Sequence, residues 1–384
     1  MITHLKQTPV SAVKRVVLVG AGHTHALFLL SLLEKPMAQV ECLVISPLAL
    51  APYSGMIPGW LAGQYEFNDI VVDFSALCQR VGAKLVQAEL FAVLPDENTV
   101  KLSNGECVTY DWLSINIGST LRAPLVKGSQ VLALRPLWTL RDRYDHCLKL
   151  WSQDTQTKPL VVTAVGAGAA GVESMLCILH RLRQIRPDRA VHGHLVSRSR
   201  DILPGFSACA RRLAHKALKN AQVTIQLDCD WSDTIAVKSD VLIWATGAQA
   251  HSWQLDPACR ASLQVSAEGF IQVDQSLRSV SHPNIFATGD CADLPHSLPK
   301  AGVYAVRMAA TLAANIRRAV AGQTLLPFET KPYALSLLND GAGRAIASWR
   351  HIGFSGKWVW MLKDDIDRRF INRFRLNSSA KVKK

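Results

Sequence analysis

Residues 160–173 read LVVTAVGAGAAGVE, a stretch that leaves the chain little freedom in how it folds locally. An apolar, largely β-branched run leads into Gly166, Gly168 and Gly171, with Glu173 two positions further on. This is the complete G-x-G-x-x-G spacing in a strand–turn–helix setting. The first glycine allows a tight turn, the second lets a pyrophosphate approach the backbone, and the third lets the helix pack closely on the strand. The phosphates then accept from the free N–H groups at the helix N-terminus. A parallel βαβ unit follows, closing at 192–197, HGHLVS, where Ser197 stands in place of the usual acid and Arg198 and Arg200 come next. A carboxylate there favours an unphosphorylated ribose, whereas arginines pair with a 2′-phosphate. The loop leans towards NADPH over NADH, with two solvated surface arginines as the alternative reading.

A second loop of the same kind lies near the start. Residues 16–28 read VVLVGAGHTHALF, with Gly20 and Gly22 in place and His25 where the third glycine belongs. Residues 16–20 read as a strand, 22–34 as a helix ending before Pro36, and 40–45 as a second strand. The third glycine serves packing, so His25 does not abolish phosphate binding, although it asks for a rearranged first turn. Ser46 follows the second strand where an acid is expected, and its hydroxyl can reach a ribose. Alone, this loop is equally compatible with a purely structural turn; a complete second loop in the same chain tips the balance. SDVLIWATGAQ (239–249) adds a turn at Gly247 after a buried strand, and HPNIFATGDCAD (282–293) ends a strand at Gly289 and Asp290. At a strand end, Asp290 can accept from the ribityl chain of a flavin; an Asp-capped turn is the plainer alternative.

The 384 residues, 49% hydrophobic and 19% charged, suffice for two domains with large cores. Nine cysteines form no C-x-x-C pair and no metal-ligand spacing, and no N-terminal leader is expected, so a reducing, cytoplasmic setting fits and no metal site is expected. The apolar stretch 16–33 is interrupted by His23, Thr24 and His25 and resolves into strand, turn and helix, not a membrane span. A formal charge of +13 calls for an anionic partner. Nucleotide phosphates and anionic lipid both qualify. Nucleic acid does not, because no basic run is interleaved with aromatics.

Over nearly its whole length the chain resembles the pyridine nucleotide-disulfide oxidoreductase superfamily. More narrowly it looks like the flavoprotein found fused to the N-terminus of selenide, water dikinase, which is related to type II NADH dehydrogenases. VGAGHTH, PYSGMIPG (52–59), YDWLSINIGS (110–119), PKAGVYAVR (299–307) and KDDIDRRF (363–370) carry the resemblance. It implies an α/β fold with two Rossmann-like dinucleotide-binding domains: FAD on 1–127 and 265–327, NAD(P)H on 128–264, and a C-terminal region at 328–384. No dikinase module is expected after it. Hydride transfer from NADPH or NADH to FAD is implied. Beside the flavin the resemblance places Tyr53, Ser54 and Gly55, Gly118, and Lys300, Ala301 and Gly302, the last three opening a helix whose dipole stabilises the anionic reduced ring. Glu173 is implied to face the nicotinamide and shuttle a proton, a dipole-answering glutamate being the alternative; for Lys300 the alternative is an exposed loop lysine. His25 belongs to the family's loop and is grouped with the cofactor-binding residues, while neither His23 nor His25 is counted as catalytic.

The family's cysteine pairs are missing: PYSGMIPGWLAGQ holds none, position 167 is Ala, and no cysteine follows Cys291. Electrons are therefore expected to pass directly from flavin to a small acceptor such as a quinone. Redox handling of selenium or sulfur species, or a flavin sensor with a vestigial NAD(P) site, are the rival readings. In 351–384, Trp358, Leu362, Ile366, Phe370 and Phe374 recur every fourth residue among nine Lys and Arg and three Asp. This predicts an amphipathic helix that either docks on the FAD domain or lies peripherally on the inner, anionic face of the cytoplasmic membrane.

Overall fold

Val16, Val17, Leu18 and Val19 are almost wholly buried, the environment of an inner strand covered on both faces. The computed structural model describes residues 13–231, 239–329 and 333–375. In chain order the elements used below are β1 (Lys14–Val19), α1 (His23–Glu34), β2 (Val40–Ser46), β3 (Lys84–Gln87), β4 (Trp112–Ile115), β5 (Gln130–Ala133), α2 (Leu137–Gln153), β6 (Leu160–Val165), α3 (Ala169–Ile185), β7 (Val191–Val196), α4 (Ala208–Asn220), β8 (Val223–Gln226), β9 (Val241–Trp244), β10 (Ile285–Ala287), α5 (Gly302–Val320), β11 (Ser336–Asn339), β12 (Ala345–Trp349), β13 (Ile352–Gly356) and α6 (Lys357–Asn372).

The chain divides into two units, 1–49 with 74–118 and 252–328, and 50–73 with 119–251 and 329–384. In the first, five parallel strands lie in the order β10-β4-β1-β2-β3. Val19 pairs with Ile45 on one side and Ile115 on the other, so the loop after β1 leaves the sheet centrally. Val17, Val19, Ile45, Leu113, Ile115 and Ile285 form its core. Helix α1 packs on α5, and Thr24 Oγ1 donates to Ala305 O at 2.6 Å.

The second unit repeats the plan with β5-β9-β6-β7-β8, again all parallel. Val165 pairs with Val196 and Trp244. An antiparallel sheet, β11-β12-β13, and the helix α6 that leaves it directly complete the unit. The α/β class and parallel sheets expected from the sequence are present.

The four-residue apolar stripe is only half buried. Val359, Lys363, Asp367, Phe370 and Ile371 face inwards, whereas Trp358, Leu362 and Ile366 are exposed, and Phe374 lies beyond the helix end. At 3.6 residues per turn each four-residue step rotates a further ~40°, so a stripe of five winds from the outer face to the inner one. Among the described residues no helix is long and apolar enough to cross a membrane. None of the nine cysteines, all described, forms a disulfide, and no group of three metal-binding side chains occurs among the described residues.

Candidate functional site

In the first unit the loop 20–25 sits where the central strands end. Gly20 has φ +100°, and a Cβ there would strike the backbone of Asn116. Gly20 N–H donates to Ile45 O at 2.8 Å and Asn116 N–H to Val19 O at 2.8 Å, which fixes the turn between β2 and β4. Helix α1 begins after Gly22 without a side-chain cap, so its first N–H groups are available to an anion. The third loop position is filled by the whole of His25. Its imidazole is completely buried, with Nδ1 2.7 Å from Gly20 O and Nε2 2.8 Å from Ser114 Oγ. The carbonyl can only accept, so Nδ1 carries the hydrogen and Nε2 accepts from the Ser114 hydroxyl. Desolvation lowers its pKa to about 4, so the ring is neutral.

Asn116 ties this loop to the turn after β10, its Nδ2 donating to Thr288 O at 2.8 Å. Its Oδ1, packed against Gly22, and the Thr288 hydroxyl are buried without hydrogen-bond partners among the described residues. Gly289 and Asp290 follow in a short 3-10 turn. A cavity of about 30 Å³ is bordered by Gly289, Asp290, Ala292, Lys300, Tyr304 and Met308. Lys300 Nζ donates to Ala292 O at 2.5 Å and lies 3.9 Å from the Phe270 ring centroid, so it is folded in and not an exposed loop lysine. Ala301 and Gly302 are the N-cap and first residue of α5. Ser46 is buried and donates to Leu48 O at 2.8 Å, and Gly118 has φ +71° with open space around it. A glycine cradle, an uncapped helix start and orphaned buried acceptors fit a dinucleotide such as FAD.

In the second unit Gly166 has φ +109° and Gly168 is the N-cap of α3. A Cβ at Gly171 would run into Gly166 O, the helix-to-loop contact that the third glycine serves. Gly166 N–H donates to Val196 O at 2.8 Å, and Gly247 lies in the open turn after β9. Beyond β7, Ser197 and Ser199 hydroxyls are 2.8 Å apart. Arg198 and Arg200 are exposed and lie 3.6 and 3.8 Å from Asp230 and Asp228, so each guanidinium already has a carboxylate neighbour. This loop and its helix start fit a second dinucleotide.

Glu173 lies one residue past the first turn of α3 and is buried. Asn339 N–H donates to its Oε1 at 2.6 Å. Desolvation raises its pKa to about 7 against the pull of Lys363 and that hydrogen bond. Lys363 and Asp367, one turn apart on α6, are buried and joined at 2.7 Å, and Lys363 Nζ also donates to Gly55 O. Burial alone would lower the Lys363 pKa, but the Asp367 and Glu173 carboxylates hold it raised. The Tyr53 hydroxyl bonds Asp367, and its ring stacks on Phe370 at 4.2 Å. Gly55 lies under Asp367 and Tyr53, where a Cβ would crowd both, with Ser54 between them in sequence. Reading by residue missed Lys363 and Asp367 although KDDIDRRF was in view. The available signal was a Lys and an Asp at i and i+4 on the same face as Phe370 and Val359, an unusual place for charge.

Two parallel sheets, each with a glycine loop leading into a bare helix start, define a protein built to hold two dinucleotides. A family model described as pyridine nucleotide-disulphide oxidoreductase matches residues 14–309, and the chain belongs to that family. Among curated relatives, the alternative NAD(P)H-ubiquinone oxidoreductase C1 of Arabidopsis thaliana is 26% identical over 363 residues, 82% of this chain and 69% of that protein. The type II NADH:quinone oxidoreductase Ndh of Mycobacterium tuberculosis is 27% identical over 235 residues, 54% of this chain and 50% of that protein. Among solved structures, NDH2 of Plasmodium falciparum in complex with NADH superposes with a TM-score of 0.75 at 14% identity, covering 94% of this chain and 97% of that one. The sulfide:quinone oxidoreductase of Aquifex aeolicus gives 0.74 at 18%, covering 94% and 91%.

Proposed function

We propose that this chain is an FAD-dependent NAD(P)H oxidoreductase that delivers electrons to a quinone. The observation that carries the reading is the repeated loop: two strand–glycine–helix turns of like backbone geometry on two parallel sheets. Two relatives, an alternative NAD(P)H-ubiquinone oxidoreductase and a type II NADH:quinone oxidoreductase, support the acceptor. In the first unit Gly20, Gly22, Asp290 and the α5 start at Gly302 would hold FAD. In the second Gly166, Gly168, Gly171 and the segment 197–200 would hold NAD(P)H. The flavin, when bound, supplies the redox chemistry, taking a hydride from the nicotinamide and releasing two electrons to the acceptor. Lys300 and the α5 dipole place positive charge on that side of the first unit.

A hydride brings two electrons and one proton, so forming a quinol requires one proton more. Glu173 is the residue for it, because a carboxyl with a pKa of about 7 can both hold and release a proton at neutral pH. Lys363 and Asp367 keep that carboxyl in a charged surrounding that burial alone would not provide.

The same chain offers a face towards a lipid-borne acceptor. Trp349, Ile352, Phe354, Trp358, Met361 and Ile366 on β12, β13 and α6 are all more than 40% exposed, with Arg350, Lys357 and Arg369 among them. This combination suits peripheral contact with an anionic bilayer. One experiment with three arms tests the proposal. Under anaerobic conditions NADPH or NADH should bleach the flavin of the purified protein, and a quinone should restore its colour. Glu173→Gln should slow a water-soluble quinone at least tenfold more than ferricyanide, which takes no proton. Trp358→Asp with Ile366→Asp should slow only quinone carried in phosphatidylglycerol vesicles. A protein without flavin, or a flavin that no nicotinamide bleaches, would overturn the reading.

A further inference from the structure

The donor that meets Glu173, Asn339 N–H, belongs to an edge strand of the second unit. Across the β11–β12 pair Asp340 N–H donates to Arg344 O, so the N–H one residue earlier points the other way, off the sheet and onto the carboxylate. An edge donor has no further strand to fix its place. One side chain does so instead. Gln64 Oε1 accepts from Asn339 Nδ2 at 2.6 Å and from Trp360 Nε1 at 3.2 Å, while Gln64 Nε2 donates to Gly341 O at 3.1 Å. The Asn339 side chain completes the ring, its Oδ1 accepting from Gly341 N–H at 2.9 Å. An indole N–H only donates and a carbonyl only accepts, so Trp360 and Gly341 settle which way the Gln64 amide faces. Gly341, at φ +80°, is pressed on α3, where a Cβ would meet Cys177 and His180. Segment 339–341 is thus held between α3 and Gln64.

We propose that Gln64 is a positioning residue for Glu173: by fixing segment 339–341 it keeps Asn339 N–H on the carboxylate and favours the form of Glu173 that has given its proton away. The inference rests on the reading of Glu173 as the proton donor to the quinol. A hydrogen bond donated to a carboxylate stabilises its ionised form, the more so where the carboxylate is buried. In the step itself the proton leaves Glu173 for the quinol oxygen, one from solvent replaces it, and no electron passes through Gln64. Lys363 and Asp367 on α6 act on Glu173 directly, and Cys177 lies one turn on along α3, with Asp340 near it. From α2 come Tyr144 and Cys147, which burial keeps neutral, as it does Cys177. Helix Ile57–Leu61, β6 and β9 carry no titratable side chain, β7 turns Gly193 towards α3, and α4 buries only Ala210, Ala214 and Leu218. Replacing Gln64 therefore alters the Asn339 donor and leaves these groups in place.

The test reads the proton on Glu173 itself. Infrared spectra of the full chain across neutral pH should show a carboxylic acid C=O band that is lost in Glu173→Gln, with a titration midpoint near 7. In Gln64→Leu, its fold checked by circular dichroism and urea midpoint, that midpoint should rise by about one pH unit. Trp360→Phe keeps the bonds to 339 and 341 and should move it by no more than about a third of that step. Asn339→Ala, which retains the backbone N–H, is a second route should Gln64→Leu not fold; it should give a similar rise, and the double variant no more than either alone. The pH profile for a water-soluble quinone should move with the band in Gln64→Leu, and the profile for ferricyanide should stay. An unmoved midpoint in folded Gln64→Leu, or in folded Asn339→Ala, would overturn the positioning role alone. A midpoint that rises while the quinone profile stays would uphold the positioning role and overturn Glu173 as the proton donor. Absence of any band that depends on Glu173 would overturn both.

Discussion

The two glycine loops solve one packing problem in opposite ways. In both, the carbonyl of the first glycine points at the third position of the following helix. In the second unit that carbonyl, Gly166 O, lies so close to Gly171 that no Cβ fits. In the first unit the equivalent carbonyl, Gly20 O, accepts a hydrogen bond from a complete imidazole. Helix α1 must stand further off its strand than α3 does, with His25 filling the gap and tying it to Ser114 on β4. Contact by absence of a side chain is indifferent to pH; contact through a buried neutral imidazole is not. The glycine requirement belongs to helix–strand distance and not to phosphate binding.

Exchanging the two residues gives the largest expected effect. Gly171→His should cost more than about 4 kcal/mol, since the clash is with backbone and cannot be relieved by a rotamer. The reverse change, His25→Gly, should cost about 2 kcal/mol, from leaving Gly20 O and Ser114 Oγ with poorer partners. Urea unfolding of both variants measures this, and equal costs would break the comparison.

Acid sensitivity comes next. The His25 pKa is about 4 in the folded protein and 6.5 when exposed. Between those values the unfolded chain binds more protons, so the contribution is complete above pH 6.5 and is lost as pH falls towards 4. It amounts to about 3 kcal/mol. Glu173 acts in the opposite sense, its raised pKa favouring the folded state at low pH. The comparison is therefore between the protein and His25→Gln, which share Glu173. Unfolding midpoints from pH 7 to 4 should fall more steeply for the unaltered protein; parallel slopes would show that the imidazole is protonated in the fold.

The smallest effect concerns the outer end of the second loop. Arg198 and Arg200 are solvated and already near Asp230 and Asp228, so a 2′-phosphate gains only part of a charge-assisted contact. NADPH should reduce the flavin up to about tenfold faster than NADH, a difference of about 1.4 kcal/mol. Replacing both arginines with Ala should level the rates. Equal rates in the unaltered protein would assign both arginines to Asp228 and Asp230.

The parallel sheets and both loops were legible because apolar runs and glycine spacing are local signals, and Gly166, Gly168 and Gly171 each fall where the spacing puts them. What His25 does was not legible. Its partners are Gly20, five residues away, and Ser114, on a strand 89 residues on, and no pattern in VGAGHTH points to the latter. The apolar periodicity gives the C-terminal helix but not its faces, because a strict four-residue stripe rotates around the helix and does not stay on one side. The inner face is anchored by a Lys–Asp pair that hydropathy would assign to solvent.

The hydrogen bond between Asn339 and Glu173 joins residues 166 apart in the chain, and the lysine whose charge opposes the burial of Glu173 comes later still, at 363. A ribosome adding about 5–20 residues per second would expose α3 on the order of ten seconds or more before those partners exist. During that interval Glu173 has neither its backbone donor nor its lysine, and a carboxyl in that state stays wet or protonated. The second unit therefore cannot close over its buried acid until the end of the chain has emerged, and synthesis order itself delays the acid's burial.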